Sequence, residues 1–449
     1  MKNDLLEHYG GAVPRYTSYP TAPHFHDGVN AGTYTDWLGG LDQGTTLSLY
    51  LHVPFCQHMC WYCGCHTKIT ARYDPIQRYA RSLVGEIELV AAALGARRRV
   101  SHIHWGGGTP TTLAAADFTT LMARLGTHFD TLADSEIAIE VDPRTLDPEM
   151  VSALAKSGVN RVSLGIQDFD PGVQRAINRI QPLAETETRV GWLRDAGITN
   201  ISFDLMYGLP AQTVHSVRGT VDLAVGMQPN RLSVFGYAHV PWMKSHQRMI
   251  DTAALGDANA RMDQAAAIAE RLEEHGYQQI GLDHFARADD DLSLSLKAGT
   301  LRRNFQGYTT DFAPTLIGLG ASAIGNLPAG YAQNDPAIGR YEAEISAGRL
   351  ATVRGIATTD EDRLRRQIIE SLMCSLQADL AAIGAEHKWA GQRFGPERLR
   401  LQDMAAHGIV ELNDGHILIT EAGRPFVRAV AAVFDTYIQS GAGTHSRAV

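Results

Sequence analysis

The segment Thr46-Leu47-Ser48-Leu49-Tyr50-Leu51-His52-Val53 alternates strictly: Leu47, Leu49, Leu51 and Val53 fall on one face of an extended chain, and Ser48, Tyr50 and His52 on the other. Comparable segments recur at 100–105, 136–141, 161–167, 200–206 and 231–237. Helical stripes lie between them, such as Ile76, Leu83, Ile87, Val90 and Leu94 behind Asp74 and Pro75, and Phe118, Leu121, Leu125 and Phe129. Six β-α units in succession predict a parallel sheet with right-handed crossovers, short of the eight that close a barrel. A parallel strand held between two helical layers would be apolar on both faces. Here Glu136, Ala138 and Glu140 alternate with Ile137, Ile139 and Val141. Ser163, Gly165 and Gln167 alternate with Val162, Leu164 and Ile166, and Ser202, Asp204 and Met206 with Ile201, Phe203 and Leu205. One face must therefore line a polar cavity, and the expected class is α/β, an open (β/α)6 barrel. Such folds place their chemistry at the carboxyl ends of the strands, where Glu140, Gln167 and Asp204 lie.

Three units are expected. Residues 1–45 form an arm whose stretch Pro14-Arg15-Tyr16-Thr17-Ser18-Tyr19-Pro20-Thr21-Ala22-Pro23 suits either a surface lead-in or a cover over an active site. Residues 46–360 hold the barrel and an extension. Residues 361–449 read as helices at Glu361–Leu380, Pro396–His407 and Glu421–Ile438, with a hairpin turning at Asn413-Asp414-Gly415. That mixture suggests a mostly helical, winged-helix-like appendage, with a disordered tail from Gly441. The chain carries 40 Lys and Arg against 49 Asp and Glu, a net charge of −9, which disfavours nucleic acid as a partner. A small anion is still open to it, because a few arginines in one pocket outweigh distant surface charge. No apolar run approaches the roughly 18–20 residues of a membrane span, and the N-terminus lacks the apolar core of a signal peptide. A cytoplasmic protein without a membrane partner is expected.

Four of the five cysteines, Cys56, Cys60, Cys63 and Cys65, fall within ten residues. An odd total argues against a disulfide framework. Thiolates suit zinc or an iron–sulfur cluster. Zinc usually takes two cysteine pairs separated by a dozen or more residues, whereas one short loop can wrap one side of a cubane. Zinc stays as the plain alternative.

The spacing C-x3-C-x2-C after a first strand resembles the radical S-adenosylmethionine (SAM) enzymes. The resemblance implies a three-quarter TIM-type barrel in which Cys56, Cys60 and Cys63 bind three irons of a [4Fe–4S] cluster. The open fourth iron takes the amino and carboxylate groups of SAM. One electron passed to the sulfonium then yields a 5′-deoxyadenosyl radical that abstracts hydrogen from an unactivated carbon. Trp105-Gly106-Gly107-Gly108-Thr109-Pro110 looks like the superfamily loop whose backbone meets the SAM amino group.

Further stretches narrow the resemblance to the oxygen-independent coproporphyrinogen III oxidases. They include Tyr16–Ala22, Tyr50–Cys56, Cys63-Gly64-Cys65, Glu140-Val141-Asp142-Pro143-Arg144, Gly165–Phe169, Asn178-Arg179, Asp204–Pro210, Asp283–Arg287 and Arg303–Thr310. The resemblance spans nearly the whole chain. It implies oxidative decarboxylation of two propionates of coproporphyrinogen III to the vinyls of protoporphyrinogen IX. It further implies two SAM molecules, a flavodoxin-type one-electron donor and a monomer. Position by position, it places Tyr50 against the substrate. Tyr62, Gly107, Gly108, Thr109, Glu140, Gln167, Arg179, Asp204, Ala238 and Ile324 would surround the SAM molecules. Cys65 is not expected to ligate iron. The substrate carboxylates need cations, for which Arg15, Arg302 and Arg303 are the candidates. A haem chaperone on the same frame is the nearest rival, opposed by Cys65 and the intact arm. A non-catalytic metal- or haem-binding protein is the rival from another class.

Overall fold

The six alternating segments are strands in the computed structural model, which describes residues 2–388 and 394–438. They are β1 Leu47–Val53, β2 Arg98–Gly107, β3 Phe129–Val141, β4 Arg161–Gln167, β5 Asn200–Tyr207 and β6 Arg231–Gly236. Each pairs in parallel with the next in chain order. The sheet continues past both ends of this set. β7 (Tyr277–Ile280) and β8 (His284–Arg287) extend it antiparallel beyond β6. On the other side β9 (Thr315–Leu319) runs parallel to β1, followed by antiparallel β10 (Ile324–Leu327), β11 (Gly330–Asn334) and β12 (Thr352–Ala357). The order across the twelve strands is β12-β11-β10-β9-β1-β2-β3-β4-β5-β6-β8-β7. A seventh parallel strand thus joins the six expected. Thr315–Leu319 is buried at every position, and an apolar run of that length shows no alternation to mark it as a strand.

The alternation sorts the two faces as expected. Leu47, Leu49, Leu51 and Val53 are fully buried in a core that includes Leu83, Ile87 and Val90 of the helix Asp74–Leu94. That helix begins with Pro75 in its first turn and ends at Gly95 in a left-handed conformation, φ 69°. The other face is polar. Its lower end, near the amino ends of the strands, is closed by ion pairs: Arg161 to Glu136 at 2.7 Å, Arg231 to Asp290 at 2.7 Å, and His102 to Asp311 at 3.1 Å. The Ser48 hydroxyl also donates to Asp311.

In the C-terminal unit the helix Asp360–Ser375 opens with a capping box between Thr359 and Asp362. It stops five residues before the expected Leu380, because Leu376 turns left-handed (φ 56°) and Gln377–Asp379 enters a three-stranded sheet with the hairpin Val410–Asn413 and His416–Ile419. The expected helix Glu421–Ile438 is reduced to a turn at Arg424–Phe426 and a helix Val427–Ala432, since Pro425 can donate no hydrogen bond to an earlier turn. The tail from Gly441 lies outside the described residues.

Residues 1–45, which carry no long periodic pattern, still form helices at Lys2–Tyr9 and Ala31–Gly39, the second capped by the Asn30 side chain. Leu5, Tyr16 and Tyr19 of this arm pack into the core of the C-terminal unit. The Tyr16 hydroxyl donates to Asp435 at 3.0 Å, and the Tyr19 hydroxyl meets Thr436 Oγ1 at 3.0 Å. Among the described residues no helix is long and apolar enough to cross a membrane.

Candidate functional site

The cysteine loop leaves the carboxyl end of β1. Short parallel pairing of Phe55–Cys56 with Lys68–Ile69 closes its base. The thiols of Cys56, Cys60 and Cys63 are free, with Cys60 buried and the other two partly exposed. Cys56 Sγ lies 3.5 Å from Thr109 Oγ1. Cys60 Sγ accepts from two guanidiniums, Arg144 at 3.4 Å and Arg179 at 3.5 Å, and Asp142 ties these arginines together at 2.6 and 3.3 Å. Arg179 also donates to the Gly165 carbonyl at 2.5 Å, while its buried Nε has no hydrogen-bond partner among the described residues.

A segment far along the chain holds the loop in shape. Lys244 donates to the Cys65 carbonyl at 2.8 Å, His246 Nε2 meets the Cys63 carbonyl at 2.7 Å, and Gln247 Nε2 donates to the Tyr62 carbonyl at 2.9 Å. Gln247 also spans the Ala238 carbonyl (3.2 Å) and the Val240 amide (2.6 Å). The Tyr62 ring rests on an apolar cluster that includes Val173, Ile177 and Tyr237.

The glycine loop closes the opposite rim. The Gly108 amide donates to the Val53 carbonyl at 2.9 Å and the Thr109 amide to the Phe55 carbonyl at 2.8 Å, so the loop crosses directly over the exit of β1. A Cβ on Gly108 would sit 2.5 Å from the Phe55 carbonyl oxygen, and one on Gly107 (φ 116°) would meet the His52 ring at 2.7 Å. The Gly107 amide donates to Glu140 at 3.2 Å.

Below these loops Tyr50 stacks on His104, ring centroids 5.9 Å apart, and its hydroxyl meets His52 Nδ1 at 3.0 Å. His52 Nε2 faces the His66 carbonyl at 3.4 Å, so with the proton on Nε2 the phenol donates to Nδ1. Burial lowers His52 to about 4 and pushes Tyr50 well above its ordinary value, leaving both neutral. His104 Nε2 lies 3.3 Å from Glu140. Burial raises the Glu140 carboxyl, but the bonds from His104 and the Gly107 amide more than offset it and hold the group below its usual range. Asp204, bonded by Ser163 at 3.2 Å, is pushed up to about 7 by burial and then by the Glu140 charge. Gln167 sits at φ 71°, a left-handed conformation for a residue with a side chain, where the β4–β5 register slips. Its amide comes so close to Gly165 that a Cβ there would meet it at 3.0 Å. Ile324 backbone atoms lie over Gly318, the register partner of Tyr50.

The structure therefore gathers Tyr50, the three cysteines, Tyr62, Gly107, Gly108, Thr109, Glu140, Gln167, Arg179, Asp204 and Ala238 around the carboxyl ends of the strands. Of the three arginines named as carboxylate partners, Arg15 and Arg303 line a cavity of about 920 Å³ beside β6, whereas Arg302 does not. Arg302 and Arg303 are consecutive in the short strand Arg302–Asn304 and so face opposite ways. Arg302 pairs instead with Glu370 at 3.5 Å and lies over the Phe312 ring. Asp142 and Arg144 could have been singled out from the quoted Glu140–Arg144 stretch. Lys244, His246 and Gln247 carry no sequence signal, because their partners are backbone carbonyls some 180 residues earlier.

The donor set fits an iron–sulfur cluster. Three free thiols stand on one loop, with guanidiniums against Cys60. No three His, Cys, Asp or Glu side chains among the described residues are placed to hold a single metal ion. A cluster differs in presenting a separate iron to each sulfur.

The sequence profile of the Radical SAM superfamily matches residues 50–224. The chain is 54% identical over 450 residues to the oxygen-independent coproporphyrinogen III oxidase of Bradyrhizobium diazoefficiens, covering 100% of both chains. It is 42% identical to the enzyme of that name from Paracoccus denitrificans, covering 98% of this chain and 97% of the relative. Among solved structures, coproporphyrinogen III oxidase (HemN) from Escherichia coli, described as a radical SAM enzyme, superposes with a TM-score of 0.91 at 38% identity, over 94% of this chain and 98% of that one. The chain belongs to the oxygen-independent coproporphyrinogen III oxidase family of radical SAM enzymes.

Proposed function

We infer that this chain is the oxidoreductase that converts two propionates of coproporphyrinogen III to the vinyls of protoporphyrinogen IX without oxygen, in haem biosynthesis. The observation that carries the reading is the set of three free thiols at the carboxyl end of β1, with Arg144 and Arg179 donating to Cys60. Cys56, Cys60 and Cys63 would hold three irons of a [4Fe–4S] cluster. With SAM bound, the cluster supplies one-electron chemistry and hydrogen abstraction from an unactivated carbon. Two SAM molecules would lie against Tyr62, Gly107, Gly108, Thr109, Glu140, Gln167, Arg179, Asp204, Ala238 and Ile324. Glu140 and Asp204 favour a cation between them, as a sulfonium ligand is, and their oxygens suit ribose hydroxyls. Tyr50, neutral and aimed into the lumen, would contact the substrate, with Arg15 and Arg303 as carboxylate partners. The arm Tyr16–Ala22 would shield the site from water. The remaining partners are a flavodoxin-type electron donor, with no nucleic acid and no membrane, for a cytoplasmic monomer.

Anaerobic protein reconstituted with iron and sulfide, given SAM, a reductant and coproporphyrinogen III, should yield protoporphyrinogen IX together with 5′-deoxyadenosine. A fully reconstituted protein that releases 5′-deoxyadenosine yet leaves coproporphyrinogen III unchanged overturns the substrate assignment.

A further inference from the structure

The cavity beside β6 opens between the barrel, the arm and the C-terminal unit, and at about 920 Å³ it is at the upper end of what holds a small-molecule ligand. Its inner wall is built by three distant parts of the chain: Arg15 from the arm, Arg303 from the extension and Arg428 from the helix Val427–Ala432. Arg428 is 7% exposed and the Arg303 side chain 6%. Arg428 Nε donates to the Pro14 carbonyl at 3.0 Å and its Nη2 to the Val13 carbonyl, and Arg303 Nη2 reaches the Arg15 carbonyl at 3.5 Å. Arg303 lies over the Tyr308 ring, 4.4 Å from its centroid. Its Nε and Nη1 are buried without a hydrogen-bond acceptor among the described residues, and the nearest carboxylate, Asp283, is 3.9 Å from Nη1.

The outer rim carries other acids that are committed elsewhere or face water. Glu270 pairs with Arg218, Glu421 with Arg424 at 3.0 Å, Asp257 caps the helix Ala258–Glu274, and Glu273 is exposed. At the inner wall, burial and then the charges of Arg15 and Arg303 lower Arg428 to about 10, while Asp283, itself held low by His284, Arg303 and Arg15, pulls the other way. Three guanidiniums share the Asp283 carboxylate there, and the unsatisfied Nε and Nη1 of Arg303 leave room for a further anion.

We propose that this inner wall is an anion site that takes a carboxylate of a large polycarboxylate ligand, and that occupancy locks the arm and the C-terminal unit onto the barrel. Arg303 and Arg428 are the primary partners and Arg15 the contact from the arm. The inference rests on the substrate reading above, since the two propionates that are not decarboxylated would fill this role. A carboxylate here bonds to arginines that also grip the backbone at Val13, Pro14 and Arg15, so ligand binding and arm docking must be coupled.

The test uses the reconstituted full chain with coproporphyrin III, the stable oxidised tetracarboxylate, and its tetramethyl ester, which keeps the ring and lacks the charges. Fluorescence titration should show the acid binding at least about tenfold more tightly than the ester. The acid should also slow tryptic cleavage after Arg15 where the ester does not. Arg303→Gln and Arg428→Gln should each weaken binding of the acid by about tenfold or more, leave binding of the ester little changed, and raise KM for coproporphyrinogen III. Equal binding of acid and ester by the unaltered protein, or unchanged affinity in both variants, overturns the site. Charge-dependent binding in a protein that does not turn over coproporphyrinogen III would instead keep the site and remove the substrate reading.

Discussion

The two ends of the lumen are lined by the same face of the same strands, yet they treat charge in opposite ways. At the lower end guanidiniums and carboxylates are matched: Arg161 with Glu136, Arg231 with Asp290, and cross contacts at 3.9 and 4.0 Å. At the upper end Asp142 pairs with Arg144 and Arg179, which also donate to the Cys60 sulfur, whereas Glu140 and Asp204 raise each other's cost and are met by His104, a hydroxyl and a backbone amide rather than by a guanidinium among the described residues. The lower end is satisfied by the protein itself and serves stability. The upper end carries the residues that the proposed cluster and SAM would meet. Strain follows the same division, with Gln167 held left-handed at the upper end of β4.

Four substitutions bear on this contrast. The largest effect is expected from Cys60→Ser at the upper end: iron content and the cluster absorption should fall sharply, 5′-deoxyadenosine release should drop to background, and the thermal midpoint of the metal-free protein should barely move. A variant that keeps full activity would remove Cys60 from the ligand set.

Glu136→Gln at the lower end should do the reverse. Leaving Arg161 without its 2.7 Å carboxylate partner should cost about 3–5 kcal/mol in chemical denaturation, with SAM affinity intact. Arg161 and Arg231 outweigh the burial that would raise Glu136 and bring it to about 2. Its stabilising effect is therefore complete above the unfolded value near 4.3 and lost as pH falls through 2. The gap between the native chain and Glu136→Gln should close over that window, and a pH-independent gap would show that the pair is not what stabilises the floor.

Glu140→Gln should weaken SAM binding by about 10–100-fold, the worth of a hydrogen bond to a charged group, with little change in unfolding midpoint. The smallest expected effect has the opposite sign. Asp204, raised to about 7, costs stability where it is ionised in both states, so Asp204→Asn should stabilise the protein by about 0.5–2 kcal/mol at pH 8. That gain should fade as pH falls from 7 toward 4, where the native carboxyl regains its proton. A destabilised Asp204→Asn at pH 8 would place Asp204 with the satisfied charges of the lower end instead.

Much of this division was legible residue by residue. The alternation through β1, β3, β4 and β5 put Tyr50, Glu140 and Asp204 on the lumen side, because a strand's side chains must alternate whatever packs around it. The cysteine spacing drew attention to Cys56, Cys60 and Cys63 for an equally local reason, since one short loop carries all three. The same reading missed β9, whose five buried positions leave no polar face to mark it, and ran the helix Glu361–Leu380 on through Leu376, whose left-handed turn leaves no mark in hydrophobic periodicity. It also treated Arg302 and Arg303 alike, although consecutive strand residues face opposite ways, and only packing decides which one meets the cavity.

The amino-acid order by itself determined the two-faced strands, their β-α sequence and the thiol loop, because each depends on residues within a few positions of one another. Only the tertiary structure decided which charges cancel, that Lys244, His246 and Gln247 hold the cysteine loop, and that Arg15, Arg303 and Arg428 share a wall. Those contacts join residues from 25 to more than 400 positions apart, and local periodicity holds no information about where a sheet's curvature and an arm's path will bring such groups together.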